Sequence, residues 1–236
     1  MFLGALGDIH GDFENVRRIM RRHPDVRSWI CVGDLPDAEG HYQPVDAPLY
    51  FIKGNNEDFD LLASGDLPGN LHYLPNAVEH ELDGLKLAGL GGTLAPTWYD
   101  TPAAELPHGK KGSARATEGG RSTGSRPSRV KSRDDKRRHF VRDEVEACKK
   151  MQDVSIFLSH EAPRPFRVGP VDAGKTPINE VLAAMQPRLH LFGHHHRFTE
   201  QERQGVRSVG LDLVSRSYLL IDVRTLAYEQ RLKTED

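Results

Sequence analysis

The chain has 236 residues, a mass of 26.4 kDa, 37% hydrophobic and 28% charged residues, and a formal charge of −2. That is enough apolar matter for one large folded domain, and it excludes a wholly disordered or histone-like polycationic chain. Two cysteines, Cys31 and Cys148, exclude a disulfide framework, and neither sits in a thiolate zinc pattern.

In chain order, Phe2–Leu6 reads as a strand ending at Gly7. Asp8 and His10 interrupt this apolar start too early for a signal-peptide core, and no apolar run reaches membrane-spanning length. The expected location is therefore cytoplasmic, with no membrane partner. Phe13, Val16, Ile19 and Met20 recur at helical spacing until His23-Pro24. Trp29–Val32 and Leu49–Ile52 read as strands, and Asp58–Ala63 as a short helix. His72–Leu74, Val78–Leu82 and Leu85–Leu90 follow as short strands broken by Pro-Asn and Asp-Gly turns. Phe140–Met151 reads as a helix, Val154–Leu158 as a strand, Ile178–Met185 as a helix and Leu189–Phe192 as a strand. Val206–Leu213, Tyr218–Val223 and Leu226–Arg231 close the chain as strands. Strand–helix alternation early and hairpins later predict an α/β layered fold with two mixed sheets.

One segment differs in composition. Residues 109–142 hold 12 Lys/Arg against 3 Asp/Glu, a local charge of +9, while the remainder carries 20 basic and 31 acidic residues. The stretch at about 109–139 reads as a basic, mobile insertion in an otherwise single domain spanning 1–236. It is either a solvated loop or an electrostatic funnel for an anionic substrate. Its lack of interleaved aromatic residues leaves nucleic acid open as a partner but not indicated.

Ligand-type side chains follow directly on five predicted strands: Gly7-Asp8-Ile9-His10-Gly11, Gly33-Asp34, Gly54-Asn55-Asn56-Glu57, Ser159-His160-Glu161 and Gly193-His194-His195-His196. In open α/β sheets, ligands bind beyond the carboxyl ends of strands, so these five ends are expected to converge on one crevice. Carboxylate, amide and imidazole donors suit Mn, Fe, Zn or Mg. Asp8, His10, Asp34, Asn55, His160, His194 and His196 are too many for one tetrahedral ion and match two ions sharing a carboxylate, the clamp used for phosphoester hydrolysis. Taken singly, Asp8 and His10 would read as a helix cap and His160 as a buried core histidine; the ordered set favours ligation. Glu57 and Asp58 read most simply as N-terminal charges of the next helix. His195 should point away from its two neighbours in an extended turn and is read as structural or substrate-facing. Trp98-Tyr99 either borders the crevice and stacks on a substrate ring or anchors the loop by packing.

These motifs, in this order, resemble the calcineurin-like metallophosphoesterases. The resemblance runs from Gly7 to His196 and implies a four-layer α/β/β/α sandwich of two mixed sheets with a dinuclear metal site. It implies that Asp8, His10, Asp34 and His196 hold one ion, and that Asp34, Asn55, His160 and His194 hold the other, with Asp34 bridging. It further implies a hydroxide held between the metals that attacks phosphorus in line, with manganese first among the candidate ions. Asp34, Asn56 and His160 are then the expected catalytic residues, and Asn56, His195 and Tyr99 the expected substrate contacts. Two departures stand out. Asn56 occupies the position where the family usually carries His, and an amide can hydrogen-bond a phosphate oxygen but cannot deliver a proton. Gly33-Asp34-Leu35-Pro36-Asp37 also lacks the Asp-Arg-Gly continuation of protein Ser/Thr phosphatases and dinucleotide polyphosphate hydrolases. The expected activity is phosphatase or phosphodiesterase action on a phosphorylated small molecule, nucleotide or phosphoprotein. The alternatives are a nuclease or RNA-debranching-like phosphodiesterase, and a catalytically silent protein-binding scaffold of the same fold. A silent scaffold usually loses ligands, and here all seven positions are kept.

Overall fold

The computed structural model describes residues 1–109 and 134–232. In chain order it contains β1 (Phe2–Leu6), α1 (Phe13–Arg22), β2 (Trp29–Cys31), β3 (Leu49–Phe51), α2 (Phe59–Ser64), β4 (Leu71–Tyr73), β5 (Glu79–Leu82), β6 (Leu85–Leu90) and β7 (Thr93–Leu94). There follow β8 (His139–Phe140), α3 (Arg142–Cys148), β9 (Ile156–Ser159), β10 (Arg167–Val168), β11 (Val171–Asp172), α4 (Thr176–Met185), β12 (Leu189–Phe192), β13 (Thr199–Arg203), β14 (Val206–Gly210), β15 (Ser217–Asp222) and β16 (Tyr228–Leu232).

Two six-stranded mixed sheets form, in the orders β16-β15-β1-β2-β3-β4 and β13-β14-β12-β9-β6-β5. Within each, four consecutive strands run parallel: β1 to β4 in the first, and β6, β9, β12 and β14 in the second. Strand alternation explains the layering. Leu3 and Ala5 of β1 enter the apolar layer between the sheets with Ile30, Leu158, Leu191 and Leu219. Leu6 faces the other way, into a layer with Phe13, Val16, Ile19 and Met20 of α1 and with Trp29. On the far side, Ala88, Leu90 and Phe157 pack under Val145 of α3 and under Ile178, Val181 and Leu182 of α4. The result is the expected α/β/β/α sandwich. At Gly4 the sheet and Trp29 are so close that a β-carbon would lie 2.0 Å from the indole, so only glycine fits.

Three sequence expectations change. The helix expected over Phe140–Met151 is α3, Arg142–Cys148, because His139-Phe140 pairs with Thr93-Leu94 as a short parallel ladder. The β10–β11 hairpin and the polar edge strand β13 carry no apolar run and were not anticipated; β13 is fixed by its ladder with β14. Of the basic insertion expected at about 109–139, the residues described from Asp134 onward are folded. A single helical turn at Lys136–Arg138 is capped by Asp135, whose carboxylate also holds Arg137 at 3.0 Å. The expected mobile stretch Lys110–Arg133 lies outside the described residues. Among the described residues, no helix is long and apolar enough to cross a membrane.

Candidate metal centre

The site is assembled from loops that leave the carboxyl ends of five parallel strands. β1 delivers Asp8 and His10, β2 delivers Asp34, β3 delivers Asn55, β9 delivers His160, and β12 delivers His194 and His196. Backbone geometry marks these loops. His10, Asp34, His194 and His196 all have positive φ, between 47° and 68°. Side-chain-bearing residues adopt that conformation at a cost of about 1–3 kcal/mol each, and such strain concentrates at functional sites.

The side chains fall into two groups whose ligand-type atoms lie within 4.8 Å of one another: Asp8, His10 and His196; and Asp34, His160 and His194. In the first, His196 Nε2 is 3.0 Å from Asp8 Oδ2, and the Nε2 atoms of His10 and His196 face each other at 3.1 Å. Asp8 also accepts from the His194 backbone N–H. In the second, His160 Nε2 is 3.1 Å from Asn55 Oδ1. Asp34 lies between the groups, its Oδ2 at 3.8 Å from His10 Nε2 and 3.7 Å from His160 Nε2.

These contacts fit a pair of cations. His160 Nδ1 sits 2.8 Å from the Val32 carbonyl, which can only accept, so Nδ1 carries the proton. In the neutral ring Nε2 then presents a lone pair to the Asn55 oxygen, another acceptor. Two acceptors at 3.1 Å repel unless positive charge lies between them. The Nε2 atoms of His10 and His196 meet at the same opening. Asp8, Asp34 and His160 are almost completely buried, whereas the His10 and His196 side chains remain 34% and 38% exposed, which leaves a way in from solvent.

The electrostatics reflect this packing. Burial works to raise the Asp34 carboxyl, but the His160 and His10 rings and the Asn56 hydrogen bonds outweigh it and hold the pKa below the ordinary range. Burial likewise opposes protonation of His160, and the Asp34 and Asp8 carboxylates overcome it and raise its pKa. His194 is pushed down to about 3, first by burial and then by His160. His196 is raised by its hydrogen bond to Asp8.

Asn56 turns its amide inward: Nδ2 donates to Asp34 Oδ2 at 2.7 Å, while the backbone N–H groups of Asn55 and Asn56 donate to Oδ1 at 2.6 and 2.8 Å. It therefore helps to hold the Asp34 carboxylate in place. His195 does not point clear of both neighbours as alternation led one to expect: the tight turn sets its ring edge-on to His194 at 4.9 Å, and it stacks on Phe166 at 4.5 Å. The structure does not bring Tyr99 to the histidine–carboxylate groups. Its ring packs edge-on to Phe140 and under the Arg142 guanidinium, as a loop anchor.

Glu57 is a residue whose part the local sequence does not reveal. It is not a solvated helix-end charge; that cap is Asp58, which accepts from Asp60 and Leu61 N–H. Glu57 is buried, and its Oε1 accepts from Gly54 N at 3.0 Å and Leu35 N at 3.4 Å, tying the Asp34 loop to the Asn55 loop. Tyr42 donates to its other oxygen and accepts from Asp58 N. Burial, then the Asp34 charge, pushes the Glu57 carboxyl up to about 7. The available signal is a carboxylate three residues after a turn glycine; nothing local marks Tyr42. A third group, Asp37, Glu39 and His41, is more exposed and closes on itself through the Asp37 carboxylate.

No curated protein sequence matches the chain. Among solved structures it is similar to TT1561 of Thermus thermophilus, with TM-score 0.60, 16% identity and 98% of each chain covered. A second solved structure gives TM-score 0.65 at 9% identity, again over 98% of both chains. A third, described as a novel archaeal phosphodiesterase, gives TM-score 0.47 at 12% identity over 99% of this chain and 100% of that one. At such identities the first two likenesses establish the shared fold alone. Sequence carries the assignment further. Residues 3–198 match the profile described as Calcineurin-like phosphoesterase, and that span includes every strand end in the site. With these residues gathered in the crevice that the two sheets create, the chain belongs to the calcineurin-like phosphoesterase family.

Proposed function

We propose that the protein is a metal-dependent phosphoester hydrolase working through a dinuclear centre. The observation that carries the reading is the pair of His/Asp groups flanking one buried carboxylate, with His160 Nε2 facing the Asn55 oxygen at 3.1 Å. Asp8, His10, Asp34 and His196 would hold one ion, and Asp34, Asn55, His160 and His194 the other. The donor set suits Mn, Fe, Zn or Mg, with manganese first. When bound, such ions supply positive charge against phosphoryl oxygens and acidify an attacking water.

The remaining work falls to the chain itself. Val32 fixes the His160 tautomer, and the His194 backbone N–H holds the Asp8 carboxylate in place on the other side. Asn56 and two backbone N–H groups hold Asp34 midway between the groups, so the shared carboxylate costs no reorganisation during reaction. The half-exposed rings of His10 and His196 form the open edge through which a phosphate enters. Asn56 has no proton to deliver, so the site favours esters with good leaving groups, such as aryl or anhydride phosphates.

The test is metal analysis of the purified protein, then a panel of aryl monoesters and diesters with Mn, Fe, Zn and Mg added back. Two equivalents of metal and metal-dependent turnover are expected. Absence of both retained metal and turnover with every ion would leave the silent-scaffold reading.

A further inference from the structure

Beside the metal centre lies a second, strongly cationic cavity of about 250 Å³, lined by Arg167, Arg197, Arg203, Thr199 and Gln201 around the edge of Phe166. Its origin is strand alternation. Along β13, Thr199, Gln201 and Arg203 face the cavity, and Glu200 and Glu202 fall on the opposite face, where Glu200 accepts from Tyr228. No lining residue is acidic. The nearby carboxylate of Asp172 is already used, accepting from Arg164 Nε and Phe166 N at 2.8 Å and from Gly174 N at 3.1 Å.

Among the described residues, no carboxylate pairs with the three guanidinium groups, and Arg203 donates to the carbonyls of Glu202 and Pro165. Arg197 lies over the Phe166 ring at 5.9 Å. Among the described residues, neither Arg167 nor Arg197 makes an ion pair. Two further donors, Arg203 Nε and Gln201 Nε2, are buried without a partner. Buried donors are nearly always paired, and planar guanidinium forks match the oxygens of a phosphate.

The cavity is also coupled to the metal centre. Phe166, which forms its wall, stacks on His195 at 4.5 Å, and His195 lies between His194 and His196. Arg197 directly follows His196. We propose that the Arg167–Arg197–Arg203 cavity is a second phosphate site, which takes an additional phosphate of a substrate whose reacting phosphate sits at the metal centre. This rests on the phosphoesterase reading for the reacting phosphate, but the anion site itself does not. It selects bis-phosphorylated substrates over simple monophosphates.

Two measurements separate the claims. First, inorganic pyrophosphate is titrated calorimetrically into EDTA-treated protein. Wild type should bind it, and Arg167→Gln/Arg197→Gln should bind it at least tenfold more weakly, with Arg167→Lys in between. Absence of binding by wild type, or equal binding by the double variant, overturns the site. Thermal melts of each variant confirm that the fold is kept. Second, kcat/KM is measured on metal-loaded protein for adenosine 3′,5′-bisphosphate and for p-nitrophenyl phosphate. The double variant should lower the bisphosphate-to-aryl ratio at least tenfold. An unchanged ratio, with pyrophosphate binding lost, shows a site for a free anion and overturns the substrate assignment. If neither compound is hydrolysed by wild type while pyrophosphate binding tracks the arginines, the hydrolase reading fails and the anion site stands.

Discussion

Replacing Asp34 by Asn changes one atom in a carboxylate 2% exposed, and the hydrogen bonds around it set the consequences. Oδ1 accepts two backbone N–H groups at 2.6 and 2.8 Å, and Oδ2 accepts the Asn56 amide at 2.7 Å. In one rotamer the new NH₂ faces the Asn56 NH₂; in the other it faces the two backbone donors. Either way at least one buried donor loses its acceptor, at about 1–3 kcal/mol. Relief of a buried charge offsets part of this, leaving a net loss of about 1–2 kcal/mol in metal-free protein. For a chain of this size that corresponds to a melting point roughly 2–8 °C lower. The effect on the centre is larger, because the lost charge lies between both groups, 3.8 Å from His10 and 3.7 Å from His160. Metal content should fall from two equivalents to less than one, and kcat by at least about 10²–10³-fold. Asp8→Asn, which touches one group only, should keep the other ion. The assay is metal content by mass spectrometry, melting with and without EDTA, and turnover of an aryl phosphate. An Asp34→Asn protein that retains two ions and turns over within threefold of wild type would refute the reasoning.

The other predictions use the same geometry. Gly54→Ala should behave as a folded but misassembled site: its β-carbon would lie 2.0 Å from Asp34 Oδ1 and 2.3 Å from Asp34 N. Moving that carboxylate by about 1 Å should lower kcat about 10²-fold, and an alanine variant with normal kcat would show that the loops adjust freely. Tyr42→Phe strands a Glu57 oxygen and the Asp58 N–H. Urea unfolding of metal-free protein at about pH 8 should show a loss of about 1–3 kcal/mol, and an unchanged midpoint counts against the Tyr42–Glu57 tie between the two loops. His190 is buried between Ser159 and Ser208, and burial pushes its pKa down to about 3. Because the folded pKa is depressed below the ordinary value of about 6.5, the unfolded chain takes up the proton first as pH falls. His190 therefore costs stability progressively from about pH 6.5 towards pH 3, about 5 kcal/mol in full. In EDTA, His190→Asn should flatten the dependence of stability on pH between about 6 and 4 by close to one proton; an unchanged slope would sink this assignment.

Much of the centre was legible because its chemistry is local. Each candidate ligand sits within a few residues of the end of an apolar run, and a parallel strand must hand its loop to the same edge of the sheet as its neighbours. Asp8-x-His10 and His194-x-His196 therefore announced themselves, and the order β1, β2, β3 made convergence a consequence of topology. Strand–helix alternation likewise pointed to two mixed sheets, and the family resemblance to helix layers outside them. Only the tertiary structure decided the rest. Asn56 is turned onto Asp34 and Glu57 bridges two loops because the Asp34 and Asn55 turns come within hydrogen-bonding distance, across a sequence separation of about twenty residues that no local pattern records. Tyr99 became a packing anchor because Phe140 pairs as a strand rather than opening a helix. The arginine cavity draws on three segments that are polar and ordinary in sequence; their charges gather because β13 is an edge strand whose acidic residues alternate to the other face. Sequence sets what a residue can do within its own turn or strand, and packing between distant segments sets which partner is left for it to do it with.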